Sequence, residues 1–161
     1  GEVLDLKIEN IPYPNLDETF GVLKNIKSKG RYRNLFIPMK LIEEIDSFII
    51  NERALIDTEH SYLFVAIQKQ NLGHPLTYRS IYDVFDRAKK KAGLKFNFHD
   101  IRHTFVTHLA ETGMDVSIIS IIAGHKHIQT TEKYTHLSDK YIGESLSRYW
   151  KSNAFLGGDL Q

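Results

Sequence analysis

The sequence predicts a mainly α domain with one small antiparallel β-sheet, an α+β fold, on three observations. Apolar residues recur at helical spacing over residues 39–50, 77–93, 99–113 and 137–150. Two runs rich in β-branched and aromatic residues, 19–26 and 34–37, flank a basic turn and read as a hairpin. With 161 residues and 42% hydrophobic side chains, the chain can bury one ordinary core and reads as a single domain.

Taken in order, residues 1–6 read as the tail of a helix, with Val3, Leu4 and Leu6 apolar, and residues 7–11 as a short strand. Pro12, Pro14 and Asn15 then mark a loop. The hairpin turn is Lys27-Ser28-Lys29-Gly30-Arg31. In the helix over 39–50, Leu41, Ile42, Ile45, Phe48 and Ile49 form the inward stripe. Residues 51–60 read as a loop, and 62–67 as a short apolar run, either a strand or an irregular core segment. After a break at Gly73-His74-Pro75, Thr77 is the expected N-cap of a helix that turns Ile81, Val84, Phe85 and Ala88 inward and stops at Gly93. A helix from near His99 puts Ile101, Phe105 and Leu109 on one stripe, with Gly113 as its stop. Asp115 caps a short helix closed by Gly124, a further helical piece covers 130–133, and the last helix buries Tyr141, Ile142, Leu146 and Trp150.

Composition narrows the classes. No run of about 18 apolar residues exists, so no membrane span is expected, and a soluble, cytoplasmic protein is the expectation. Zero cysteines exclude disulfides and thiolate metal sites. Net charge is only +1, yet Lys24, Lys27, Lys29, Arg31 and Arg33 cluster, as do Arg87, Lys89, Lys90, Lys91 and Lys95. Two basic clusters on a near-neutral body suit a polyanion held on one side; the plain alternative is a solvated face.

The chemistry concentrates between residues 97 and 136. His99 and Arg102 lie three apart on one helix, Gly124 and His125 follow a turn, and Tyr134 comes nine residues after His125. An imidazole, a guanidinium, a second imidazole and a phenol make joint sense around a phosphodiester. Arginine forks onto phosphate oxygens, histidine moves a proton near neutral pH, and tyrosine offers an oxygen nucleophile. The implied reaction transfers a phosphoryl ester onto Tyr134.

This ordered set, His99-x-x-Arg102, Gly124-His125 and Thr130-Thr131-x-x-Tyr134, resembles the tyrosine recombinases of the phage integrase family, over nearly the whole chain. The resemblance implies the catalytic-domain fold of that family and cleavage of duplex DNA by Tyr134, through a 3′-phosphotyrosyl link and a free 5′-hydroxyl. It assigns Arg102 to the nonbridging oxygens, His99 to the tyrosyl proton or the phosphate, His125 to a phosphate oxygen and Lys27 to the departing 5′-oxygen. Lys29 is the rival lysine. Lys24, Lys29, Arg31 and Arg33 would bind DNA. No cofactor or metal is implied. The partners implied are duplex DNA and further copies of the chain, a tetramer on DNA joined through the C-terminal segment, with residues 141–150 docking in cis or in trans.

Glu2 and Leu6 match the end of the family's Arg-x-x-Glu-x-x-x-Leu motif, whose arginine would fall three residues before Glu2. The expectation is a single catalytic domain over 1–161, truncated at its N-terminus, lacking the core-binding domain and the first catalytic arginine. Loss of one such donor typically costs about 10² to 10³ in rate, so poor cleavage and weak, salt-sensitive DNA binding are expected. Two rivals stand beside this reading: a catalytically degenerate DNA-binding module of the same fold, and a metal-dependent hydrolase using His99, His103 and the other histidines. The second lacks a Glu beside the first histidine and an obvious carboxylate ligand.

Overall fold

The computed structural model of the chain describes residues 2–28, 31–124 and 138–152. Within them lie five α-helices, α1 (Met39–Asn51), α2 (Tyr78–Ala92), α3 (Phe98–Glu111), α4 (Val116–Ala123) and α5 (Asp139–Ser152), and a hairpin of β1 (Phe20–Ser28) and β2 (Arg31–Pro38). The α+β expectation holds. The predicted helical piece over 130–133 lies outside the described residues.

The hairpin is antiparallel, pairing Phe20 with Pro38, Leu23 with Leu35 and Ile26 with Arg33. Its strands extend further than the sequence predicts, so Lys27 and Arg31 are strand residues. Between Leu23 and Ile26 the register shifts: Lys24 and Asn25 together oppose Asn34. Asn25 takes φ 56°, a left-handed value that asparagine tolerates better than most residues. This bulge has a consequence for orientation. Side chains alternate along a strand, so if these same residues paired without a bulge Asn25 and Lys27 would follow Leu23 inward. With it, Ile26 is buried and Lys27 is exposed.

Each face of the hairpin carries its own apolar cluster. Leu6, Leu23, Ile26 and Leu63 form one, with Leu35, Ile37, Ile45, Phe48 and Ile49 around them. Leu109, Ile119 and Leu146 form the other, joined by Phe36, Phe105, Ile122 and Trp150. The alternation Leu35-Phe36-Ile37 serves both sides in turn. Helix α5 docks on its own chain: Leu146 is fully buried, Thr19 Oγ1 lies 2.6 Å from Ser147 Oγ, and a Cβ at Gly143 would collide with the Phe20 ring. Tyr141, predicted in the buried stripe, is 45% exposed.

Two other expectations change. Residues 7–11 are not a strand. Lys7 makes one bridge to Tyr62, after which Ile8–Asn10 turn as a 3₁₀ helix, because the Asn10 side chain accepts from the Lys7 N–H at 2.9 Å. The loop after α1 hides Arg53, only 3% exposed, which donates to the carbonyls of Tyr62, Ile56 and His60 and to Thr58 Oγ1. Helix α2 starts and stops as predicted, with Thr77 accepting from the Ser80 N–H and Gly93 at φ 67°. Its stripe is nevertheless shallow. Val84 is 58% exposed and Ala88 is also exposed, while Phe85 stacks on Phe98 at 4.2 Å.

Candidate active site

The start of α3 is fixed by reciprocal caps. Asn97 Oδ1 accepts from the N–H groups of His99 (2.7 Å) and Asp100 (3.1 Å), and Asp100 Oδ2 accepts from the Asn97 N–H at 2.8 Å. Three otherwise orphaned donors are satisfied, and His99 and Arg102 emerge one turn apart. Both are exposed. The His99 and His103 rings meet edge to face at 4.2 Å.

Helix α4 supplies the other wall. Asp115 caps it, accepting from the Ser117 N–H at 2.7 Å and from the Ser117 hydroxyl. The Ser117 hydroxyl first, then backbone N–H groups, hold the Asp115 carboxyl below the usual carboxylate range. At the far end Gly124 adopts φ 64° and closes the helix. Two guanidinium groups converge there. Arg102 Nη2 donates to the Ala123 carbonyl, and Arg33 Nη1 donates to the Ile122 carbonyl at 3.2 Å. Arg33 Nη2 also pairs with Glu2 Oε2 at 2.6 Å.

His99, Arg102, Arg33, Glu2 and Lys89 line one groove of about 910 Å³, floored by Phe85, Phe98 and Ile122. Lys27 lines a separate cleft of about 660 Å³ beside Asp5, Glu9 and Tyr32. In that cleft the Ser61 hydroxyl, ahead of other contacts, holds the Glu9 carboxyl below its usual range. Lys24 is exposed on the bulge. Tyr134, His125 and Lys29 lie outside the described residues, as does the Arg31 side chain. In the second basic cluster Lys89 and Lys90 both pair with Asp86, at 3.7 and 2.8 Å, whereas Arg87, Lys91 and Lys95 are exposed. Among the described residues no three His, Asp or Glu side chains gather to hold a metal ion.

Sequence reasoning missed the Arg33 pairing with Glu2, because nothing local joins residues 31 apart. The Asn97-Asp100 box was missed as well, although Asn-x-x-Asp before an apolar run is a signal that could have found it.

The model of the phage integrase family matches residues 1–141. The chain belongs to the phage integrase family. Transposase A from transposon Tn554 of Staphylococcus aureus is 30% identical over 161 residues, covering 92% of this chain and 43% of that protein. Tyrosine recombinase XerA of Pyrococcus furiosus is 32% identical over 158 residues, covering 98% of this chain and 52% of its own. Among solved structures, the XerH site-specific recombinase bound to difH substrate, a pre-cleavage complex, superposes with a TM-score of 0.62 at 30% identity, over 84% of this chain and 38% of that one. XerA recombinase gives 0.59 at 26%, over 94% and 52%. This phage integrase family member thus spans about half the length of the curated relatives it matches. Its fold is that of a tyrosine recombinase catalytic domain.

Proposed function

We propose that the chain is the catalytic domain of a site-specific DNA recombinase. The Tyr134 oxygen attacks a scissile phosphorus of duplex DNA, and the bond from phosphorus to the 5′-oxygen breaks. A 3′-phosphotyrosyl ester and a 5′-hydroxyl result. A second strand's 5′-hydroxyl then reverses the attack, so one phosphoester replaces another and no nucleotide or redox partner enters the balance. Arg102 stabilises charge on the nonbridging oxygens and His125 donates to one of them. His99 moves the phenol proton or binds the phosphate, and Lys27 protonates the departing 5′-oxygen.

The observation that carries this reading is the groove rim. The Asn97 cap fixes His99 and Arg102 one turn apart, and Arg102 is braced on the last carbonyl before Gly124, the residue that precedes His125. Membership of the family supports the same chemistry, and XerH is captured on difH substrates in pre-cleavage and post-cleavage complexes. Lys24, Lys29 and Arg31 are offered as DNA contacts on the hairpin.

A pool of randomised nicked duplexes, screened for covalent capture by the full-length protein, tests the reading. An adduct forms with wild type, disappears in Tyr134→Phe, and slows by about 10² to 10³ in Arg102→Ala. An adduct that persists in Tyr134→Phe overturns the assignment. Duplex binding with no adduct leaves the non-enzymatic DNA-binding module instead.

A further inference from the structure

We infer that Arg33 is a positioning residue, a clamp that holds the last turn of α4, and with it the Gly124-His125 junction, against the hairpin and the N-terminal turn. The inference rests on the recombinase reading above for its meaning in catalysis, and on geometry alone for the clamp. Arg33 begins on β2, where its backbone pairs opposite the buried Ile26. From there its guanidinium reaches two other parts of the chain. One nitrogen pairs with Glu2 at 2.6 Å and another donates to the Ile122 carbonyl at 3.2 Å. Both ionic side chains are about three-quarters covered, at 24% and 26% exposure. Arg33 Nε is buried as well. A cation at a helix C-terminus complements the carbonyl end of the dipole, and the Glu2 carboxylate compensates the buried charge.

The fit against Gly124 is the second observation. A Cβ built there would lie 2.9 Å from Arg33 Cζ and closer still to Nη1. Gly124 therefore answers two demands, a left-handed φ of 64° and the close approach of a planar cation. Arg102, on α3, holds the next carbonyl along, that of Ala123. The two guanidiniums thus take consecutive carbonyls at the end of α4. Both terminal nitrogens of Arg33 are engaged, one by Glu2 and one by the Ile122 carbonyl, and Nε is buried, so the residue's basic character serves the scaffold.

Three measurements on the full-length protein separate this from direct DNA contact. Arg33→Gln and Glu2→Gln both lower the rate of Tyr134 adduct formation at saturating duplex, by roughly tenfold to 10²-fold, the scale that small misplacement commands. The slope of log affinity against log salt stays as in wild type. Amide exchange at Gly124, whose N–H donates to the Ile121 and Ser120 carbonyls, speeds up in both variants. If Arg33 instead binds phosphate, Arg33→Gln flattens the salt slope by about 0.9. Glu2→Gln then tightens binding by releasing the cation. Either result, or unchanged Gly124 exchange, overturns the clamp. Glu2→Gln keeps the test decisive if Arg33→Gln fails to fold. Absence of any wild-type adduct sinks the recombinase reading, while the exchange measurement still decides the clamp.

Discussion

At Asp115 one carboxylate holds the start of α4, and its removal is the simplest measurement of what a cap contributes to this fold. Asp115→Ala leaves the Ser117 N–H without its partner and costs about 1 kcal/mol. Thermal unfolding should register that as a fall of roughly 2–4 °C for a domain of this size. The carboxyl's pKa is lowered in the fold by Ser117, so the stabilisation is complete above the ordinary carboxylate range and is lost as pH falls through that range to the depressed value. Melting curves of wild type and Asp115→Asn should accordingly converge on acidification. Convergence on raising the pH would contradict the sign.

At the scale of the element, the bulge in β1 decides where Lys27 points. Asn25 at φ 56° is replaceable by glycine at little cost, whereas Asn25→Val should cost about 1–2 kcal/mol, since a branched side chain resists the left-handed region. Deleting Asn25 leaves a regular strand in which Ile26 still follows Leu23 inward and Lys27 still points to solvent. Under the recombinase reading, the deletion variant therefore forms adduct faster than Lys27→Ala; a fall to the Lys27→Ala level would show that the bulge does more than set the facing of the lysine. None of this was legible in the chain, because the bulge carries no glycine and its basic neighbours read as a turn. What was legible depended on local rules. Thr77, Asp115, Gly93 and Gly124 announced their helix ends, and the stripes of α1, α3 and α5 announced the side each helix buries, although Leu41, Ile101 and Tyr141, read as part of those stripes, are exposed. The sequence overstated the depth of α2, because periodicity reports which residues share a face and not whether anything covers it. Arg53 carried no signal and Arg33 read as a DNA-binding cation for a related reason: their partners are loop carbonyls and a distant carboxylate that no spacing rule connects. For the site, the His99-Arg102 pair was readable as helix geometry, but its bracing on Ala123 needed the tertiary structure.

For the molecule as a whole, the two-stranded sheet is a partition with one apolar cluster on each side. Leu146, fully buried against Leu109 and Ile119, joins α5 to α3 and α4. Leu146→Ala should cost about 2–5 kcal/mol, and denaturant titration should show one cooperative loss if the partition unites the halves. Separate transitions would show that the clusters unfold independently.

Arg33 and Asn34 are consecutive residues of one strand, and each reaches toward a different end of the segment bearing His125 and Tyr134. Arg33 takes the Ile122 carbonyl just upstream, and Asn34 Nδ2 donates to Asp139 Oδ2 just downstream at 3.1 Å. Departure and return are thereby moored at adjacent pegs. The entropic penalty of bringing those ends together is met during folding; under the recombinase reading it is then not charged to the encounter with DNA, and the adhesion of substrate is left for the reaction.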